Sequence, residues 1–452
     1  MNVEVRIPAG TWDALWQEVR REAPYEPVVF GLVSDATVCS KRLILVKDLV
    51  IPPEGLLESG TGHGARWPAA YNIALINEAA ERNLGVMIFH YHGGNRSVQM
   101  STDDTQSARQ LIPAFQLVVR DRPHGSIVLG NNSVAGLIAT PGSIVLDDRI
   151  RVRIFGRTIT SHPRPEASES DRLLHRRRPL VENKISRSIL QNAVVAVVGL
   201  SGGGSQVATQ LAGLGVGEII GIDSQRLEPE NLKASDEFTR MDIAFRRTKT
   251  ATVRSKVRAI SSKTRFTPIK ALVPEPQALT ALKRADIIVG SVNNLHARVD
   301  IQEIASRYCV PYIDIGLGIF PLDPEDEFSE IAAIGGNVLT CIPGGPCLWC
   351  AGILSKQKLE DENRLGNRSY LRAALKEKRD KGPTPYVATF NSVLAGLAVA
   401  DAAQLLLGYA PTLCFRKQYD AFTGTVSEMS VQKDESCPHC SVVLAAGDLR
   451  WS

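Results

Sequence analysis

The chain has 452 residues, of which 44% are hydrophobic and 22% are charged, and its 52 Lys and Arg nearly balance its 48 Asp and Glu. At about 150 residues per domain, this length predicts two or three domains with full hydrophobic cores, and the composition excludes a disordered chain. A net charge of +4 gives no indication of a nucleic-acid-binding surface. Eight cysteines are too few for a disulfide scaffold.

Two features predict the compartment. The first ten residues, MNVEVRIPAG, lack the apolar core of a secretory signal. The longest apolar stretch, 391–410, contains Asp401 and Gln404. We expect it to be a buried core helix and not a membrane span, because a carboxylate inside a membrane is costly. The protein is therefore expected to be cytoplasmic, to keep its thiols reduced and to bind no membrane.

Residues 1–160 are predicted to form an α+β domain. A short strand alternates Val3, Val5 and Ile7, and an amphipathic helix with Trp12 and Trp16 on one face follows it. Further apolar runs predict strands at 28–33, 42–51, 85–92, 115–120 and 125–130, and the segment 66–83 predicts a helix.

The segment 161–186 is rich in Pro and charge, which predicts a linker. From residue 187 to 452, strands and helices are predicted to alternate. The strands are expected at 193–200, 217–223, 285–291 and 311–316, and the helices at 205–214 and 296–308. Continuous apolar strands of this kind are buried on both faces. The pattern predicts an α/β domain with a doubly wound, mostly parallel sheet of the Rossmann type.

A candidate metal site lies in the segment FHYHGGNRSVQMSTDD. His90 and His92 alternate along a predicted strand, so both imidazoles face one side, and Ser101 and Asp104 follow. Two His and one carboxylate with an open fourth position are typical of catalytic zinc, which needs a carboxylate nearby as general base. The alternative is a chance H-x-H beside a polar surface segment, and the S-x-x-D that follows favours the metal site.

These residues resemble the JAB/JAMM (MPN) metalloprotease family, with its pattern H-x-H-x(7)-S-x-x-D, over roughly residues 1–155. The resemblance implies that His90, His92 and Asp104 bind zinc and that Ser101 supports the tetrahedral oxyanion. Members of this family typically cut isopeptide or peptide bonds at the C-terminus of ubiquitin-like proteins.

The family also has an upstream Glu as general base, for which Glu26 is the best match and Glu22 the alternative. The spacing here is eight residues where the family has seven, and Gly93 stands where a Pro usually follows the second His. A spacing of seven would make Asp103 the ligand but would put a Met at the Ser position, so Asp104 is preferred.

A glycine-rich turn, GLSGGGS, follows a buried strand and opens a helix at residues 199–205. Such a turn brings backbone amides and a helix N-terminus close to phosphate. Asp223 ends the next predicted strand, where it would hydrogen-bond a ribose hydroxyl. A nicotinamide-dinucleotide domain is the alternative, but Ser201 interrupts the G-x-G-x-x-G pattern.

The motifs IDSQRLEPENL, RRTKT, SVNNLHAR and PYIDIG resemble the ThiF/MoeB superfamily of ubiquitin-activating-enzyme-like adenylyltransferases, over about 190–445. The resemblance implies ATP and Mg²⁺ as cofactors. In this superfamily a C-terminal carboxylate of a ubiquitin-like or sulfur-carrier protein attacks the α-phosphate, which gives an acyl-adenylate and pyrophosphate.

The resemblance also assigns the nucleotide-binding residues: Gly199, Gly202 and Gly204 form the loop, Asp223 holds the ribose, and Asn231 and Lys249 approach the phosphates. Asn293 falls where the family has its magnesium-binding Asp, and Ala234 where it has the Arg of its N-L-N-R motif. These two departures remove one anion and one cation.

Two C-x-x-C knuckles, Cys347/Cys350 and Cys437/Cys440, predict a closed structural zinc site of four thiolates. A redox role is less favoured, because two such pairs are present and neither opens the helix of a βαβ unit.

The other four cysteines are Cys39, Cys309, Cys341 and Cys414. None lies in the segment of about 356–386, where thioester-forming relatives carry their cysteine. We therefore expect adenylation without a thioester, with Cys414 as a remaining candidate.

Together the motifs predict a bifunctional enzyme that trims a ubiquitin-like or sulfur-carrier protein with zinc and then adenylates its C-terminus. The alternative is a zinc isopeptidase joined to a non-catalytic domain that binds ATP or the tail. A conjugating enzyme is a further candidate partner. Homologous adenylation domains often dimerise, so a homodimer is also expected.

Overall fold

The computed structural model describes residues 2–21, 27–59, 65–92, 97–146, 150–163, 184–321, 331–364 and 387–449. The chain divides into two compact units. The first comprises Met1–Glu166 with the short segments Ser306–Cys309 and Val443–Ser452. The second comprises Ala167–Ala305 and Val310–Val442. Most of the predicted linker lies outside the described residues, although a strand and a helix occupy its two ends.

The first unit has three helices and eleven strands among its described residues. The helices are α1 (Ala9–Val19), α2 (Ala69–Glu81) and α3 (Thr102–Val118). The strands are β1 (Asn2–Pro8), β2 (Val28–Val38), β3 (Lys41–Val50), β4 (Glu58–Ser59), β5 (Ala65–Arg66), β6 (Gly85–Tyr91), β7 (His124–Leu129), β8 (Val134–Thr140), β9 (Ser143–Leu146), β10 (Ile150–Phe155) and β11 (Ile159–His162). Nine of them form one mixed sheet in the order β11-β10-β1-β3-β2-β6-β7-β8-β9.

Both faces of this sheet are buried, and β2 shows why. Val29 and Val33 pack in a core with Leu15 of α1, whereas Phe30 and Leu32 pack in a second core with α2 and α3. Side chains alternate along a strand, so an apolar run with no polar gaps supplies two cores at once.

One sequence prediction for this unit is wrong. The segment 115–120 was predicted to be a strand, but residues 115–118 are the last turn of α3, and Phe115 packs from it into the second core. The apolar run FQLVVR belongs to a helix because its buried residue continues the spacing of Ala108 and Ile112 upstream.

The second unit has nine α-helices and eight strands among its described residues. The helices are α4 (Lys184–Asn192), α5 (Gly202–Leu214), α6 (Asn231–Ala234), α7 (Arg240–Ala244), α8 (Lys249–Ile260), α9 (Pro276–Lys283), α10 (Leu295–Arg307), α11 (Lys356–Arg364) and α12 (Ala388–Leu407). The strands are β12 (Val194–Val198), β13 (Glu218–Ile222), β14 (Arg265–Ile269), β15 (Ile287–Gly290), β16 (Tyr312–Pro321), β17 (Ile331–Cys341), β18 (Arg416–Asp420) and β19 (Thr425–Met429).

These strands form one sheet in the order β14-β13-β12-β15-β16-β17-β18-β19. The first five are parallel and the last three are antiparallel additions. Counted along the chain, the parallel part has the order 3-2-1-4-5, which is that of a doubly wound Rossmann sheet. The point where the order reverses lies between β12 and β15, where such folds bind their ligands.

The apolar stretch near 391–410 forms α12, which by length and composition alone could cross a membrane. Most of its apolar window is buried inside the protein, where it packs on α5 and β16. Its carboxylate, Asp401, is buried, accepts a hydrogen bond from Thr340 Oγ1 at 2.7 Å and pairs with Lys417. A buried charge with both partners in place is compatible with a protein core.

His124, at the start of β7, is fully buried and connects two other elements of the first unit. Its Nδ1 accepts a hydrogen bond from the amide of Val86 on β6 at 3.1 Å. Its Nε2 lies 2.9 Å from the carbonyl oxygen of Val119, which follows α3. This pattern requires a neutral ring with its proton on Nε2. Burial lowers the pKa of His124, against the weaker opposing effect of the Val119 carbonyl.

We expect His124 to make the stability of the first unit depend on pH. Its folded-state pKa is lowered, so below the unfolded-state value of about 6.5 the unfolded chain binds a proton that the folded chain does not. The contribution of His124 to the free energy of unfolding is therefore fully present above that pH and falls on acidification, by up to about 1.4 kcal/mol per pH unit. The check is urea unfolding at about pH 7.5 and about pH 5.5 for the native chain and for His124→Gln. The variant should lose less free energy of unfolding between the two pH values, and equal losses would refute the prediction.

Candidate metal centres and nucleotide-binding site

Three candidate metal ligands from two elements meet at the end of β6. His90, His92 and Asp104 each offer one ligand atom, and these three atoms lie within 4.8 Å of one another. His90 Nε2 is 3.0 Å from Asp104 Oδ1, and His92 Nε2 is 3.2 Å from Asp104 Oδ2. Two nitrogens and one carboxylate oxygen form the donor set of many catalytic zinc sites.

The alternation of β6 explains why both histidines face the same way. Val86 and Ile88 pack in the core that α2 and α3 cover, whereas Met87 and Phe89 pack in the other. His90 continues the even-numbered series and therefore faces α3. His92 follows two residues later, just beyond the strand, where its amide donates to the Leu129 carbonyl.

Helix α3 presents Asp104 from its first turn. Ala108, Ile112 and Phe115 are its buried residues, and Asp104 lies one turn before Ala108 on the same face. Ser101 caps the helix, because its Oγ accepts from the Asp104 amide at 3.0 Å and the Asp104 carboxylate accepts from the Ser101 amide at 2.8 Å. A capping box of this kind stabilises a helix start by about 1 kcal/mol. Asp103, the alternative ligand, is exposed.

The electrostatics of Asp104 favour its anionic form. Burial by itself would raise the pKa of Asp104, but the interactions with His90 and His92 and the hydrogen bond from Ser101 Oγ outweigh burial, so its pKa lies well below its usual range. An ionised carboxylate is the form that binds a metal.

Geometry also fits a metal ion. His90 Nε2 is buried and makes no hydrogen bond within the part of the chain that is described, although it lies close to Asp104. A tetrahedral site with metal–ligand distances of about 2.1 Å has ligand–ligand edges of about 3.4 Å, near the two distances observed. The predicted general base, Glu26, and its alternative, Glu22, lie outside the described residues.

The predicted phosphate loop lies at the switch point of the second unit's sheet. Gly199 adopts a φ of +82°, and a Cβ at this position would lie 2.4 Å from the carbonyl oxygen of Ser291. A Cβ on Gly204 would lie 1.8 Å from the Gly199 carbonyl oxygen, so only glycine allows the helix to pack this close to the strand. Gly202 begins α5, whose N-terminus has no side-chain cap hydrogen bond. Its first amides are therefore free to face an anion.

Two polar side chains border this loop. Asp223 directly follows β13, and its carboxylate accepts from the amides of Leu200 and Gln225, at 2.9 and 2.8 Å. Asn231 is buried at the start of α6, and its Nδ2 lies 3.3 Å from Ser201 Oγ. The structure therefore brings Asp223 and Asn231 to neighbouring residues of the same turn, Leu200 and Ser201.

Lys249 begins α8 and is 5% exposed. Its Nζ donates to Gln225 Oε1 at 2.6 Å, and among the described residues it forms no ion pair with a carboxylate. Its charge is therefore held in place by a neutral amide and remains available to an anion.

The two departures from the adenylyltransferase pattern differ in their surroundings. Ala234 is fully buried, and its carbonyl accepts from Asn391 Nδ2 at 3.0 Å. Asn293 is exposed at the entrance to α10. Sequence reasoning missed Glu362 on α11, whose two carboxylate oxygens lie 3.1 and 3.2 Å from the Leu295 amide. The start of α10 thus has a carboxylate from another helix, which no local motif signals.

The four predicted knuckle cysteines lie together in the second unit. One sulfur from each is within 4.8 Å of the others, and the Sγ–Sγ distances of Cys347 to Cys350, Cys347 to Cys437 and Cys350 to Cys440 are 3.8, 3.8 and 3.7 Å. A tetrahedral zinc site with zinc–sulfur distances of about 2.3 Å has edges of about 3.8 Å. A hydrogen bond from Cys440, together with the amides of Cys350 and Trp349, lowers the pKa of Cys347.

The parallel strand order, the glycine turn at the switch point and the Asp that ends the second strand define a Rossmann-type nucleotide-binding domain. The profile of the ThiF family matches residues 178–439, which is more than half of the chain. The chain belongs to the ThiF family.

Four relatives match over 56% of this chain. The SAMP-activating enzyme E1 of Haloferax volcanii is 22% identical over 258 residues, which are 81% of its own length. The sulfur carrier protein adenylyltransferase of Thermus thermophilus and the molybdopterin-synthase adenylyltransferase of Escherichia coli are each 23% identical, over 83% and 88% of their lengths. A crystal structure of E. coli MccB with ATP is 23% identical, covers 56% of this chain and 68% of its own, and has a TM-score of 0.43.

We expect Cys437→Ser to remove the metal from the four-cysteine cluster, because a closed site needs all four thiolates. Zinc measured by plasma mass spectrometry should fall by about one ion per chain. The free energy of unfolding of the second unit should fall by at least about 2 kcal/mol, which corresponds to about 4–8 °C in its melting temperature. Cys414→Ser is the matched control, since Cys414 lies outside the cluster. Unchanged zinc in Cys437→Ser would show that the cluster is not a metal site.

Proposed function

We propose that this protein is a bifunctional enzyme that processes and activates a ubiquitin-like or sulfur-carrier protein. The first unit is a zinc-dependent peptidase or isopeptidase, and the second adenylates a C-terminal carboxylate with ATP. One observation carries the proposal: a three-ligand metal constellation and the nucleotide turn of a ThiF-family domain occur on a single chain. Both reactions act on the same chemical group, the carboxyl end of a small protein.

For the peptidase, His90, His92 and Asp104 would hold the zinc ion, which supplies Lewis acidity and an activated water when bound. Ser101 Oγ donates to Asp104 Oδ2 at 2.7 Å, so it orients this ligand and lies beside the reacting centre. By resemblance to the JAB/JAMM family, Ser101 supports the oxyanion and Glu26 takes up and returns the proton as general base.

For adenylation, the free amides at the start of α5 would face the phosphates, and Lys249 would neutralise their charge. The Asp223 carboxylate lies at the end of β13, where it would accept from a ribose hydroxyl. The substrate carboxylate would attack the α-phosphorus, and pyrophosphate would leave. The names of the relatives support this substrate class, since two of them are named as adenylyltransferases and one as an activating enzyme.

Mg²⁺ would accompany ATP, but the residue at the family's metal-binding position is the amide Asn293, a weaker ligand than Asp. This observation favours a second candidate, in which the domain binds ATP or the substrate tail without catalysing adenylation and presents the tail to the peptidase. Ala234 also favours this second candidate, because a buried methyl group cannot stabilise a phosphate charge.

We expect His90→Ala to lose about one zinc ion per chain and keep the zinc of the four-cysteine cluster, and Glu26→Gln to keep both ions, while both variants lose cleavage. Removing a ligand abolishes the metal site, and removing the general base lowers kcat by about 10²–10⁴. The assay combines zinc content with cleavage of ubiquitin-like and sulfur-carrier proteins that carry a C-terminal peptide extension. Asp103→Asn is the control, because this neighbouring carboxylate is exposed and lies outside the ligand cluster. Cleavage that survives both substitutions would refute the peptidase assignment.

Lys249→Met should lower ATP–pyrophosphate exchange by about 10²–10³, because it removes a buried cation that would neutralise the phosphates. Lys233→Met is the matched control, since Lys233 is exposed on the neighbouring α6. Exchange is measured with each small protein ending in Gly-Gly that the same genome encodes. In Asn293→Asp, which restores a carboxylate, the exchange rate should rise. ATP binding by calorimetry without exchange in any of these proteins would favour the non-catalytic alternative.

A further inference from the structure

The solvent face of α3 carries an open groove that begins at Ser101, the residue that caps the helix. Its volume is about 600 Å³, and its lining consists of residues 100–102, Thr105, Gln106, Arg109 and Gln110. We call this surface the α3 groove. Ser101 belongs both to the groove and to the metal site, because its Oγ donates to Asp104. None of the three candidate metal ligands lines the groove, so Ser101 is its link to the place where a scissile bond would lie.

The chemistry of the α3 groove suits a polypeptide backbone. Thr102, Gln106 and Gln110 make no side-chain hydrogen bonds with the rest of the described chain, so their donors and acceptors are available. Hydroxyl and carboxamide groups pair with peptide N–H and C=O groups of any sequence. Only one charge lines the groove. Arg109 is exposed and forms no ion pair or hydrogen bond with a described residue.

Distances fix where along a substrate Arg109 would act. Eight residues separate Ser101 from Arg109, which is about 12 Å along a helix. An extended chain advances about 3.3 Å per residue. A peptide that passes Ser101 and follows the groove therefore reaches Arg109 about three or four residues further on.

We propose that the α3 groove is a substrate subsite of the first unit, in which Arg109 binds an acidic side chain three or four residues from the scissile bond. The substrate class is a protein with an acidic residue shortly after the ubiquitin-like C-terminus. This inference rests on the proposed peptidase function. Guanidinium binds carboxylate through paired hydrogen bonds, so Asp and Glu are preferred over their amides.

The experiment uses the full zinc-loaded chain and fluorescent peptides that contain Gly-Gly followed by a serine tail. A single Glu is placed at each of the first six tail positions, and two matched sets carry Gln or Lys instead. Cleavage is measured as kcat/KM. Binding is measured separately by fluorescence polarisation with Glu26→Gln, in which no turnover is expected.

We expect a preference of about threefold to fivefold for Glu over Gln, confined to the third and fourth positions, in both cleavage and binding. Arg109→Gln should abolish the preference, and Arg109→Glu should reverse it in favour of a Lys peptide. Arg157→Gln is the matched control, since Arg157 is an exposed arginine of the same unit outside the groove, and it should keep the preference. Zinc content should be unchanged in all three variants.

The groove assignment is overturned if Arg109→Gln keeps the Glu preference, or if no position shows a preference in the binding measurement. Failure of the proposed function gives a different result. A chain that cleaves no peptide or protein refutes the peptidase, while the binding measurement still decides whether the groove recognises acid. Reversal of the preference by Arg109→Glu cannot arise from a general loss of folding.

Discussion

The alternation of side chains along β6 is the constraint on which the candidate metal site depends. The strand is buried on both faces, so its even-numbered residues pack in one core and its odd-numbered residues in the other. Even-numbered positions face α3, and His90 and His92 are therefore on the side from which Asp104 approaches. A shift of one residue in the pairing of β6 with β2 or β7 would turn both imidazoles to the face of α1 and separate them from the carboxylate.

Asp104 is subject to a second constraint, because its carboxylate takes part in two sets of contacts. It completes the capping box with Ser101, and its two oxygens also lie near the two imidazoles. The helix start and the ligand cluster therefore require the same side chain in the same rotamer. The capping box fixes the carboxylate relative to α3.

Patterns that depend on local chemistry could be predicted from the sequence. The glycine turn, the two knuckles and the H-x-H pair each use residues whose spacing reports their geometry, and the structure brings each set together. Predictions failed where a long-range contact decides the outcome. The run FQLVVR has strand propensity but ends α3, and the contact that decides this is the packing of Phe115 against Phe30 and Leu32 in the second core. Glu362 caps α10 from another helix, and no spacing in the chain indicates that contact.

The two departures from the adenylyltransferase pattern are unequal in physical terms. Asn293 is exposed, so an Asp there would replace an amide by an isosteric carboxylate without repacking. Ala234 has no such freedom, because it is fully buried and Asn391 donates to its carbonyl. The same Asn391 Nδ2 would lie 2.2 Å from a Cβ on Gly202, so α12, α6 and the start of α5 are packed around this contact. A cation at position 234 would therefore require repacking of the domain, whereas an anion at position 293 would require only one surface substitution.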